Sequence, residues 1–192
     1  MIAITSFFLR AKHWQIFAPL FGLYTTRMAI GMASFPTVPS SPDALGLAGF
    51  LFGTVMVAAM LCILIWFWSL GSFLSSIVRP VLRLNSAFFR FAVIYPCLYM
   101  FAFIPFFLDP RPSATWVAII VPFHFFAMLC MFYNLYFVSK NLALAETGRA
   151  ASFYDYAGPF FLIWFFPLGI WVIQPRINRL YAMQSSAEPL SA

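Results

Sequence analysis

The stretch Ser152-Phe-Tyr-Asp-Tyr-Ala-Gly-Pro-Phe-Phe-Leu-Ile-Trp-Phe-Phe-Pro-Leu-Gly-Ile-Trp-Val-Ile-Gln-Pro-Arg-Ile-Asn178 decides how this chain is read. It opens on Ser152 and Asp155, three residues apart, a spacing that starts a helix: the serine caps it and the acid meets its positive dipole end. An aromatic run follows, broken at Pro167-Leu-Gly169 and ended by Gln174-Pro175-Arg176. The apolar part, about residues 157–173, is short for a membrane span, which takes about 20 apolar residues. Two readings stand. In one, the segment crosses the membrane as a proline-kinked last helix. In the other, it enters, turns at Pro167–Gly169 and returns to the same side. Broken helices of that kind survive only where protein or a water-filled cavity covers the freed backbone.

Composition supplies the surrounding medium. Of the 192 residues, 64% are hydrophobic and only 8% charged, against roughly 25% charged in a soluble domain. A soluble fold of this size cannot hide that much apolar surface, so the expected class is all-α, a polytopic transmembrane helical bundle of four or five spans. One domain covers residues 1–181, and residues 182–192 read as a disordered tail.

Four further segments are long and apolar enough to cross. They cover about Trp14–Ser34, Leu45–Val78, Ala87–Leu108 and Ser113–Val138, the last continuing to Thr147 with Gly148 as its C-cap. Pro36, Pro39 and Pro42 make an extended connection, and Asp109-Pro-Arg-Pro112 a tight one. The apolar run after Arg10 and Lys12 lacks a cleavage site, so it reads as a first span and not as a signal peptide.

Formal charge is +6, from 11 Lys and Arg against 5 Asp and Glu. The basic residues sit at segment ends, where they set topology and meet anionic lipid head groups; no basic stretch suits nucleic acid. Arg79, Arg83 and Arg90 make the second connection cytoplasmic, and the N-terminus with it. On a continuous helix these three fall within about 40° of one face, a candidate anionic-lipid site. If the last segment turns back, Arg176 and Arg179 also stay inside. The absence of any Asn-x-Ser/Thr sequon fits a bacterial inner membrane.

Few residues carry chemistry. Arg27, His124 and Asn134 are polar groups inside spans, where cost makes them functional candidates. Arg27 reads as a side chain reaching the outer interface to pair with Asp43 or Asp109. His124 reads as a donor to a neighbouring helix's carbonyl or to Asn134 of a partner copy. Met128 lies one turn from His124 on the same face, so the two cannot sandwich an iron. His13 lies at a different depth, which disfavours a bis-histidine haem. Gly46, Gly49 and Gly53 form a small-residue face for helix packing. Pro167, Gly169, Gln174 and Arg176 make up the broken-helix element. Asp155 with Tyr154 or Tyr156 is a weaker acid–base alternative, with no His, Cys or second acid nearby. Cys62, Cys97 and Cys130 lie in apolar runs without metal-ligand spacing, so no metal and no cofactor is expected.

Leu9-Arg-Ala-Lys-His-Trp-Gln-Ile-Phe17, the Glu146-Thr-Gly-Arg149 turn and Phe160–Asn178 resemble a group of small multi-pass proteins of bacterial inner membranes that carries no agreed activity. The resemblance implies that membrane and adds no catalytic residue. The expected role is a non-enzymatic structural or accessory subunit, or a small homo-oligomer, with lipid and other membrane subunits as partners. One alternative is an oligomeric channel or transporter with Gln174, Arg176 and the Pro167–Gly169 break facing a shared axis. The other is a lipid-handling enzyme with Tyr154, Asp155 and Arg149 in one pocket.

Overall fold

The computed structural model describes residues 2–34, 42–108 and 113–187, and these are almost entirely helical. Seven α-helices follow in order: α1 Ile2–Arg10, α2 His13–Ser34, α3 Pro42–Ile77, α4 Ser86–Leu108, α5 Ala114–Thr147, α6 Phe153–Trp164 and α7 Phe166–Ala187. The expected all-α class is what the described residues adopt. Two helices among them, α3 over Gly53–Ile77 and α5, are long and apolar enough to cross a membrane. The expected prolines at 36 and 39 and the Asp109–Pro112 connection lie outside the described residues.

Both ends of α5 are capped, and the Gly148 C-cap is the one the sequence predicts. Ser113 accepts a hydrogen bond from the Trp116 N–H at 3.3 Å, and Gly148 ends the helix at φ 64°, a left-handed conformation that glycine adopts without a Cβ penalty. The loop before α4 departs from expectation. Pro80–Leu82 forms a single 3-10 turn and the chain is extended at Arg83, so no continuous helix joins Arg79 to Arg90. The three arginines therefore do not share one helix face. Arg83 turns back on α3, its guanidinium donating to the carbonyls of Ser76 and Val78 at 3.3 and 3.4 Å. A proline at the start of the turn forbids the helical ladder that the stripe required.

The C-terminal stretch is two helices, not one. α6 has 12 residues, about 18 Å at 1.5 Å per residue. Phe165 breaks the ladder at φ −84°, ψ 56°, and α7 starts immediately after it. Pro167 falls in the first turn of α7, where its missing N–H costs nothing. Nor does Pro175 stop the chain: α7 runs through it to Ala187, and residues 182–187, expected as tail, are helical.

Contacts establish the direction of α7. α6 lies antiparallel on α5, with Tyr156 against Tyr136 and Trp164 against Phe132. α7 then comes back: Arg176 pairs with Glu146 at the end of α5, and Tyr181 lies under Arg10. α6 and α7 are therefore a hairpin whose two ends share the basic end of the molecule. Gly169 makes the closure possible, because a Cβ there would overlap the backbone carbonyl of Leu162.

The buried core lies toward this same end. Leu64, Trp66, Phe67, Leu70 and Leu74 of α3 pack on Phe89 of α4, Phe137 and Leu142 of α5, and Ile170, Ile173 and Ile177 of α7. Phe89 stacks on Phe137 at 4.1 Å and lies over Gly71, whose missing side chain leaves room for the ring. Away from this end packing thins, and of the most apolar window of α5 only 17% is buried, against 44% for α3.

Candidate functional site

Two polar centres stand out, one inside the hairpin and one beyond its tip. At the first, Gln174 is fully buried. Its side-chain nitrogen donates to the carbonyls of Phe8 at 2.7 Å and Ala11 at 3.2 Å and to Asn178 Oδ1 at 3.0 Å. Its oxygen accepts from the indole N–H of Trp66 at 3.2 Å. Asn178 adds a second donor to the Ala11 carbonyl at 3.1 Å. The last carbonyls of a helix have no partner within it, so α7 supplies what α1 lacks. Gln174 thus joins α1, α3 and α7 in one network and does not face an open axis. Trp66 had no signal in the sequence as its partner.

Around the hairpin's ends the charges are paired. Asp155 Oδ2 accepts from the Ser152 N–H and hydroxyl, both at 2.8 Å, and its two oxygens meet Arg149 at 3.1 and 2.8 Å. The Ser152 hydroxyl and N–H, then the Arg149 guanidinium, hold this carboxyl below the usual carboxylate range. A carboxylate saturated with donors is a poor proton acceptor at neutral pH. Of the tyrosines expected beside it, Tyr154 is 89% exposed and Tyr156 packs on the Tyr136 and Phe153 rings. Arg176 makes a two-pronged contact with Glu146, and Lys140 donates to the Tyr136 hydroxyl at 2.8 Å while lying over the Tyr136 and Tyr156 rings.

The second centre is a cavity of about 280 Å³ among α3, α4, α5 and the end of α6. His124 lies on its wall, and its Nδ1 is 3.0 Å from the buried Tyr99 hydroxyl of α4. His124 was expected to donate to a neighbouring helix's carbonyl or to Asn134 of a partner copy; within the chain it meets the Tyr99 hydroxyl. Asn134 instead donates to the Ala92 carbonyl at 3.0 Å, fully buried within the chain. Met128 and Met131 share the His124 face of α5, a pattern legible at helical spacing. Tyr99, Met60 and Met100 arrive from other helices, and nothing in the sequence announces them.

The remaining candidates are separated from both centres. Arg27 belongs to α2 and Gly46 and Gly49 to α3, but their side-chain surroundings lie outside the described residues. At Gly53 a Cβ would meet nothing within 4 Å, so no helix approaches it closely among the described residues. Close approach on α3 occurs instead at Gly71. Cys62, Cys97 and Cys130 are free thiols. Among the described residues no three His, Cys, Asp or Glu side chains come together. No known protein family, curated protein or solved structure matches this chain.

Proposed function

We propose that this is a multi-pass protein of a bacterial inner membrane that works without catalysis, as a structural or accessory subunit bound to other membrane chains or to copies of itself. In this reading α2, α3, α4 and α5 cross the bilayer, and α6–α7 is a re-entrant hairpin whose ends return to the cytoplasmic side. α6, at about 18 Å, is too short for a hydrocarbon core of about 30 Å. The return of α7 also gathers Arg176 and Arg179 with Arg10, Lys12, Arg79, Arg83, Arg90, Lys140 and Arg149, leaving only Arg27 and Arg111 elsewhere. That asymmetry is the one the positive-inside rule requires, with the N-terminus cytoplasmic. Arg79 and Arg90, both exposed, are then free to meet anionic head groups.

The observation that carries the non-catalytic reading is the state of the two acids whose surroundings are described. Asp155 and Glu146 are both held in ion pairs beside the hairpin, so neither is left to exchange protons with a substrate. Gln174, the group a channel would need on its axis, is turned into the bundle. Meanwhile Phe125 and Leu168 lie exposed on apolar surfaces, at 62% and 74%. The test is a photoreactive phenylalanine analogue at Phe125 or Leu168, irradiated in native membranes. The expected result is a discrete adduct whose mass equals two copies of the chain or the chain plus one partner. Adducts with lipid alone at both sites would remove the subunit reading.

A further inference from the structure

The hairpin ends before α5 does. α6 covers α5 from Tyr136 up to Phe132 and stops at Trp164, so the next turns of α5, through Met131, Met128 and His124, lose that neighbour. The cavity opens where the cover ends, with Trp164 on its wall. Four methionines, Met60, Met100, Met128 and Met131, line it, and no charged residue does. Thioether side chains are flexible and polarisable, which suits an apolar guest of irregular shape. A volume near 280 Å³ accommodates a substituted ring or a bend of acyl chain.

One polar group breaks the apolar wall. His124 is exposed toward the cavity side of α5, and Tyr99 engages its Nδ1. We assign the tautomer in which the Tyr99 hydroxyl donates to Nδ1; the imidazole proton is then on Nε2, which has no hydrogen-bond partner among the described residues. An N–H facing hydrocarbon costs free energy until an acceptor reaches it. We propose that this cavity is a lateral binding site for one neutral, membrane-dissolved molecule whose carbonyl oxygen accepts from His124 Nε2 and whose apolar body lies against the methionines. The lack of charge on the wall excludes an ionic group from the cavity itself. Two sources share that chemistry: the ring carbonyl of a quinone and the ester carbonyl of a glycerolipid.

This inference rests on the membrane placement, so the test separates the two. Alkaline carbonate washing comes first; release of the chain from the membrane pellet would refute the placement. The embedded protein, in nanodiscs, is then titrated with decylubiquinone and with dioctanoylglycerol, and occupancy is read by native mass spectrometry. Saturable uptake of one equivalent is expected for one probe, identifying the source. Affinity should fall about tenfold in His124→Leu, the worth of one hydrogen bond. Met128→Trp, which fills the cavity from a position already 44% exposed, should abolish uptake. Saturation by neither probe, or equal uptake by Met128→Trp and the parent protein, would overturn the proposal.

Discussion

Gln174 is a polar side chain at 0% exposure in the packed interior, and it survives there because every hydrogen-bonding atom it owns is used. Replacement by Leu, close to it in volume, orphans the Trp66 N–H and the Phe8 carbonyl together. The expected loss is about 3 kcal/mol, read as a lower unfolding temperature in detergent; an unchanged transition would mean that α1 is held by other contacts. Asp155 behaves differently because it sits at the surface. Its carboxyl is lowered in the folded state, so the stability it contributes is complete above the ordinary unfolded value. That contribution is lost as pH falls through the lower folded value. The protection factors of the amides at the start of α6, taken against the intrinsic exchange rate at each pH, should therefore hold at pH 5 and fall only in stronger acid. In Asp155→Asn this acid-dependent step should vanish.

At the scale of the element, the hairpin depends on two different devices. Pro167 begins a helix, and Gly169 lets that helix fold back on α6. Gly169→Ala forces a methyl group into the Leu162 carbonyl, which is backbone and has no soft degree of freedom to yield. We expect a loss of about 3 kcal/mol and fragility of the 164–169 turn toward proteolysis in detergent. Gly158, also within the hairpin, is the control. A Cβ there meets nothing within 4 Å, and Gly158→Ala should stabilise by about 0.5–1 kcal/mol through helix propensity. Equal effects at the two sites would mean that the close approach at Gly169 does not hold the hairpin shut. α1 shows the reverse dependence. Its 9 residues are too few to be stable alone, and it forms because Leu9 is buried in the core and Gln174 caps its end.

For the whole molecule, the consequence is two levels of packing. The basic end is filled by α1 and the hairpin; the opposite half of α5 has lost a neighbour, and the cavity lies at the boundary. The returning hairpin makes a direct prediction about sidedness. A single cysteine at Ser186, with Cys62, Cys97 and Cys130 replaced, should resist an impermeant thiol reagent on intact spheroplasts and react once the membrane is opened. Labelling from outside would instead require α7 to cross and would separate Arg176 from Glu146 in the native membrane.

The sequence by itself determined the helical class and the ends of α5, because composition and capping act locally. Ser113 and Gly148 cap the same helix whatever packs beside it. It also marked the break near Pro167–Gly169 and the Ser152–Asp155 start of α6, for the same reason. What it left open was the direction of the chain after the break, since a kinked crossing helix and a hairpin satisfy the same local rules. Tertiary structure decided that through contacts between residues far apart in the chain: Glu146 with Arg176, and Gln174 with Phe8 and Trp66. Such pairs have no period and no spacing. They exist only once the helices are packed, because low-polarity surroundings leave each buried donor to find whichever acceptor the fold brings within reach.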